Sequence, residues 1–87
     1  MNPARTTREQ VLATIQSAVS TVLAVDPASV SVASRFAEDL QADSLALVEI
    51  VDIIEEELAG RGFAFSDEDL DDLLTVGDAL EYAVTRL

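Results

Sequence analysis

Eighty-seven residues suffice for one small domain, and a hydrophobic fraction of 49% supplies a core that keeps the chain out of the disordered class. Cysteine and histidine are both absent, which removes disulfides, thiolate metal sites, thiol nucleophiles and the usual general base, and with them most enzyme classes. Seventeen acids against five arginines leave a net charge of −12, so nucleic acid and anionic membrane are repelled and a basic protein surface is the natural partner.

Residues 1 to 6 read as a short polar lead with no apolar segment of a signal peptide behind it. Thr6 with Glu9, or Thr7 with Gln10, has capping-box spacing, which predicts a first helix over about 7–24. Val11, Leu12, Ile15, Val19, Val22 and Leu23 recur at helical spacing along it, and Asp26-Pro27 is the expected stop. Residues 25 to 42 keep no period. They read as a long first loop pinned inward by Val30, Val32, Phe36 and Leu40, with a possible turn of helix at 33–38.

A second helix is predicted over about 44–59, with Asp43 as its N-cap and Gly60 and Gly62 as stop signals. Taking about 100° per residue from Ser44, the residues Leu47, Ile50, Val51, Ile53, Ile54 and Leu58 fill one sector and form the core side. Glu49, Asp52, Glu55 and Glu56 fill the other, with Leu45 and Val48 among them. Two aliphatic groups inside a one-signed field, beside a serine in the first turn, are an uncommon surface. Phe63 or Phe65 is the expected anchor of the following crossing segment. A short third helix, about 67–74, starts at Ser66 with acids at its positive end. The last helix, about 76–86, is capped by Thr75 to Asp78 and carries Val76, Leu80, Ala83, Val84 and Leu87. The predicted class is all-α, an antiparallel four-helix bundle in one domain over 1–87.

The stretch Asp43-Ser44-Leu45, with Glu38-Asp39-Leu40 before it, Val48-Glu49-Ile50 after it and Thr75-Val76-Gly77-Asp78-Ala79 with Tyr82 near the C-terminus, resembles the signature of acyl carrier proteins. The likeness runs from about Val11 to Val84. It implies a non-catalytic carrier, with a 4′-phosphopantetheine arm from coenzyme A on Ser44 and Asp43 and Leu45 flanking the attachment. Acyl groups would ride on the arm as thioesters for fatty-acid or polyketide enzymes. The implied partners are a phosphopantetheinyl transferase and enzymes such as ketosynthases and acyltransferases with basic docking patches. Leu45, Val48, Glu49, Asp52, Glu55 and Glu56 form the expected docking face. Leu47, Val51, Ile54, Leu70, Leu73, Ala79 and Tyr82 match the positions that line the acyl pocket. The implied protein is a cytoplasmic monomer with no membrane span.

Other readings remain open at this point. An aminoacyl or peptidyl carrier would usually have a less acidic second helix, and an unmodified acidic adaptor would use the charged face alone. Asp67, Asp69, Asp71, Thr75 and Asp78 fall at calcium-loop offsets, but Asp72 stands where that loop needs glycine. Glu55, Glu56 and Glu57 lie on an exposed face, with nothing to raise a pKa for acid–base work. Three positions depart from the family pattern: Gln41 where glycine is usual, Ala46 where an acid is common, and Asp52 where an apolar residue is frequent.

Overall fold

The computed structural model describes residues 3–58 and 64–86. Among them are three α-helices and two 3-10 turns. Helix α1 spans Pro3–Leu23, α2 Ser44–Glu57 and α3 Val76–Arg86, with the turns at Pro27–Ser29 and Asp67–Asp72. The chain is all-α, as expected, but the predicted third helix is not an α-helix. Its six residues form a 3-10 turn that ends at Asp72, and Ser66 gives it no side-chain cap. Five of the six are acids. An α-helix here would set Asp67 against Asp71 and Glu68 against Asp72 at repelling spacing, and six residues are too few to recover the cost of nucleation. The 3-10 form removes these two pairs, leaving Glu68–Asp71 and Asp69–Asp72 at i,i+3 spacing.

Helix α1 begins at Pro3 rather than near Thr7, so residues 3–6 are not a free lead. Proline suits a first helical position, where its missing N–H would have no partner and its φ is already helical. The end, at Leu23, falls within one residue of expectation, but the stop is not the proline. Ala24 takes φ 57° and donates its amide to Ser20 O at 2.9 Å, so the helix stops three residues ahead of Pro27. Asp26 instead caps the 3-10 turn, accepting Ala28 N at 2.9 Å.

Val11, Ile15, Ala18 and Val19 of α1, Ile50, Val51 and Ile54 of α2, and Val76, Ala79, Leu80 and Ala83 of α3 are all buried. Their three- and four-residue spacing gives each helix one apolar stripe, and α1 packs against both other helices. Each buried Val, Ile or Leu contributes about 1.5–3 kcal/mol before entropy is counted, and each Ala less. Arg8 and Glu81 pair across the outside of the α1–α3 contact. Leu58 ends α2, buried, with its amide on Ile54 O at 3.0 Å. The expected stops Gly60 and Gly62, the alternative anchor Phe63 and the terminal Leu87 lie outside the described residues, whereas Phe65 is buried.

The long loop is held by its backbone. Val76 N bonds Ser34 O at 2.9 Å, Gly77 N bonds Val32 O at 2.9 Å and Phe36 N bonds Leu74 O at 3.0 Å, forming an antiparallel bridge between Arg35 and Thr75. Val30 and Phe36 are buried and Leu40 half-buried, but Val32 is 47% exposed. Its carbonyl, not its side chain, is what meets α3. Gly77 is required by that approach, since a Cβ there would sit 2.9 Å from Val32 O. The turn of helix considered at 33–38 is absent. The chain instead closes on one carbonyl, with Asp39 N and Leu40 N both bonding Arg35 O at 3.0 Å. The α3 cap is reciprocal, as predicted: Asp78 N bonds Thr75 Oγ1 at 3.1 Å, while Leu74 N and Thr75 N both bond Asp78 Oδ2 at 3.0 Å.

Candidate functional site

Ser44 is the first residue of α2, and its side chain is exposed. The segment before it is closely tied. Arg35 pairs with Glu38 and also holds Asp39, whose Oδ2 accepts the Arg35 amide at 2.9 Å and its Nε at 3.3 Å. The Arg35 backbone N–H, and then its guanidinium, hold the Asp39 carboxyl below the usual carboxylate range. Gln41 follows with φ 54°, and Ala42 N bonds Phe36 O at 2.7 Å. A residue in the left-handed region turns the chain sharply, which explains why glycine is the common choice there. Asp43 then sits extended at φ −76°, ψ −179°, and its carboxylate accepts Ala46 N at 2.8 Å.

That cap meets one orphan amide of the first turn. The amides of Ser44 and Leu45 have no preceding helical carbonyl to bond, and they sit at the positive end of the helix. An anionic group beside Ser44 would be stabilised at such a helix start.

Outward from Ser44, Leu45 is 67% and Val48 42% exposed. Glu49, Asp52 and Glu56 are exposed on the same helix, and Glu55 is half-buried at the edge of the group. Inward from Ser44 lies a notch of about 200 Å³, lined by Phe36, Ala37, Ala42, Asp43, Ser44, Leu47, Leu70, Asp71, Leu73 and Leu74. Of the seven predicted pocket residues it contains Leu47, Leu70 and Leu73. Val51, Ile54 and Ala79 are packed in the core behind it. Tyr82 faces a different neighbourhood. Its hydroxyl donates to Asp69 Oδ2 at 2.7 Å and accepts Ser66 N at 3.1 Å, its ring stacks on Phe65, and Arg86 lies over it at 3.6 Å.

Helical register did not reveal Ala37, Ala42, Asp71 or Leu74 as notch residues, because they come from the loop and from the exit of the 3-10 turn. Nothing in the sequence set these four apart from their neighbours.

A small helical domain that offers a serine hydroxyl at a helix start, with an apolar notch on one side and an acidic face on the other, has the form of a carrier domain for a covalent arm. The sequence profile described as "Phosphopantetheine attachment site" matches residues 13–83. The acyl carrier protein of an Exiguobacterium species is 37% identical over 81 residues, covering 93% of this chain and 99% of that protein. That of Chlamydia trachomatis is 45% identical over 64 residues, covering 74% and 79%. The solved structure of the acyl carrier protein from Enterococcus faecalis superposes with a TM-score of 0.73 at 32% identity, covering 92% of this chain and 98% of that one. The chain belongs to the acyl carrier protein family. Its members are carriers rather than catalysts, and their prosthetic group is covalent 4′-phosphopantetheine. No helix among the described residues is long and apolar enough to cross a membrane.

Proposed function

We propose that Ser44 carries the arm and that the protein delivers acyl thioesters to enzymes of fatty-acid or polyketide assembly in the cytoplasm. The observation behind this reading is the position of Ser44: exposed, at the start of α2, between the apolar notch and the acidic face. When attached, the arm supplies a terminal thiol for thioester formation. In the loading step a Ser44 Oγ–phosphorus bond forms as the pyrophosphate link of coenzyme A breaks, and adenosine 3′,5′-bisphosphate leaves. The Ser44 proton goes to a base on a separate transferase, because this chain has no histidine or cysteine to accept it.

Leu45 and Val48 within Glu49, Asp52, Glu55 and Glu56 form the proposed docking face for basic patches on the transferase, on ketosynthases and on acyltransferases. Charge arranged this way sets association rate and orientation more than final affinity, which suits a carrier that must be released. Asp43 and Leu45 flank the attachment, one as cap and one as contact. Within the proposed acyl site, Leu47, Leu70 and Leu73 face the notch directly. Val51, Ile54, Ala79 and Tyr82 become available only if residues 64–72 move away from α3. The strongly acidic α2 favours an acyl cargo over an aminoacyl or peptidyl one.

Incubation with coenzyme A and a broad-specificity transferase should add the mass of one arm, and Ser44→Ala should abolish the gain. No gain in the wild-type protein would refute the carrier reading and leave an acidic adaptor. Glu49→Gln with Asp52→Asn should slow docking to a loading enzyme and flatten its salt dependence, measured by stopped-flow. Association indifferent to both charges and salt would refute the docking face.

A further inference from the structure

The notch beside Ser44 is apolar surface in a chain of net charge −12. Its apolar lining is Phe36, Ala37, Ala42, Leu47, Leu70, Leu73 and Leu74. Leu74 is 66% exposed, so its side chain is open to whatever enters the notch. The volume, about 200 Å³, is room for a compact branched fragment. Val51, Ile54 and Ala79 are no more than 4% exposed, and none of them lines the notch.

We propose that this notch seats the root of the arm, with the paired methyl groups of the pantoyl unit lying against Leu47, Leu70 and Leu74. The inference rests on attachment at Ser44. From Ser44 Oγ only phosphorus, one oxygen and one methylene intervene before the quaternary carbon that bears those methyls. They are the first apolar part of the arm and fall beside the notch whatever the arm does further out. The thiol lies two amide-linked spacers beyond and reaches the notch only by folding back. The amides of those spacers would lose their water on entering an apolar recess, whereas the methyls gain by it.

Charge sorts the remaining groups. The phosphodiester stays at the first turn of α2, beside the amides of Ser44 and Leu45. Asp43 is already the cap for Ala46 N, and Asp71, also in the lining, is a second acid that can accept the pantoyl hydroxyl. Seating the root restricts where the arm can swing and presents the cargo outward, toward the side of Leu45 and Val48.

The test uses the full chain loaded from coenzyme A, with loading confirmed by mass, and isotope-filtered NMR of the arm. The two pantoyl methyl resonances should separate from each other, move from their positions in coenzyme A, and show cross-peaks to methyls of Leu47, Leu70 and Leu74. Leu74→Ser should reduce the displacement by at least half. Ala37→Glu, a charge placed at the exposed rim, should abolish the cross-peaks. Complete loading with methyls at their free positions and no cross-peaks would overturn the seat while leaving attachment intact. So would spectra unaltered by both substitutions. Failure to load would overturn the attachment and the seat together.

Discussion

Removing one oxygen atom from Tyr82 probes what holds the 3-10 wall of the notch in place. The hydroxyl donates to Asp69 Oδ2 at 2.7 Å and accepts the Ser66 amide at 3.1 Å. Tyr82→Phe keeps the stack on Phe65, with centroids 5.0 Å apart, and the Arg86 contact over the ring. The two described hydrogen bonds of the hydroxyl go. A bond to a charged group contributes about 1.5–3 kcal/mol and a neutral one about 0.5–1.5 kcal/mol. Ser66 is exposed, so water replaces most of the neutral bond. Asp69 is half-buried and retains Arg86 at 3.9 Å, so part of the charged bond is also recovered. About 1–2 kcal/mol remains.

That loss should fall on one segment. Phe65, Leu70 and Leu73 bury apolar surface there, but the polar ties to α3 run through Tyr82 and Arg86. Native-state hydrogen exchange at Asp69 and Leu73, whose amides bond Ser66 O and Leu70 O, should therefore accelerate by about 5–30-fold. Amides of the α1 core around Ile15 should change much less. Unchanged exchange at 69 and 73 would show that the hydroxyl does not hold the segment. Equal acceleration throughout the chain would show that it belongs to the global fold and not to a local closure.

Gly77→Ala should lower the melting temperature by about 5–10 °C. Alanine gains up to about 1 kcal/mol in helix propensity, but its Cβ would crowd Val32 O, which must keep its bond to the residue 77 amide. Val32→Ala, which alters only an exposed side chain, is the control, and a stabilised Gly77→Ala would refute the packing argument. Gln41→Gly should raise the melting temperature by about 2–4 °C, because relief of a left-handed non-glycine residue exceeds the added freedom of the unfolded chain. A fall would mean that the Gln41 side chain supplies a compensating contact. Asp39 has a folded pKa below its ordinary value, so its contribution to stability is full above the unfolded pKa near 4 and is lost as pH falls through the folded one. The wild-type advantage over Asp39→Asn in urea midpoint should thus be steady from pH 7 to 5 and fade below about pH 4. A gap of the same size at pH 2.5 would contradict the Arg35–Asp39 account.

The sequence was most informative where a helix has one wet side and one dry side. In α2 the predicted core positions Ile50, Val51, Ile54 and Leu58 are buried and Leu47 and Ile53 half-buried, because a fixed turn angle converts spacing into direction. The α3 cap was equally legible, since Thr75 and Asp78 satisfy each other within three residues. Errors arose where backbone bonding to distant residues decides the matter. Val32 reads as a core residue by composition, but its carbonyl is needed by Gly77, and the side chain is left outside. Ala24 ends α1 through a left-handed turn that alanine composition does not advertise. The capping boxes at Thr6 and Thr7 were locally sound, but a proline at position 3 was an earlier place to begin.

The acid excess links these features. Electrostatic steering calls for carboxylates on α2, but the run through 67–72 does not lie on that helix and needs a separate reason. Within the fold, its effect is to disfavour an α-helix. A regular helix would wind Leu70, Leu73 and Leu74 tightly around one axis, whereas the 3-10 turn and its extended exit leave Leu70 and Leu73 facing the notch and Leu74 at its edge. The same repulsion keeps the segment dependent on a few side-chain ties to α3, with Tyr82 at their centre. The acid excess proposed to attract partners at one helix thus shapes, at another segment, the recess beside Ser44. Neutralising Asp71 and Asp72 together would be expected to favour a more regular helix at 67–72 and to narrow the notch, even though neither residue belongs to the docking face.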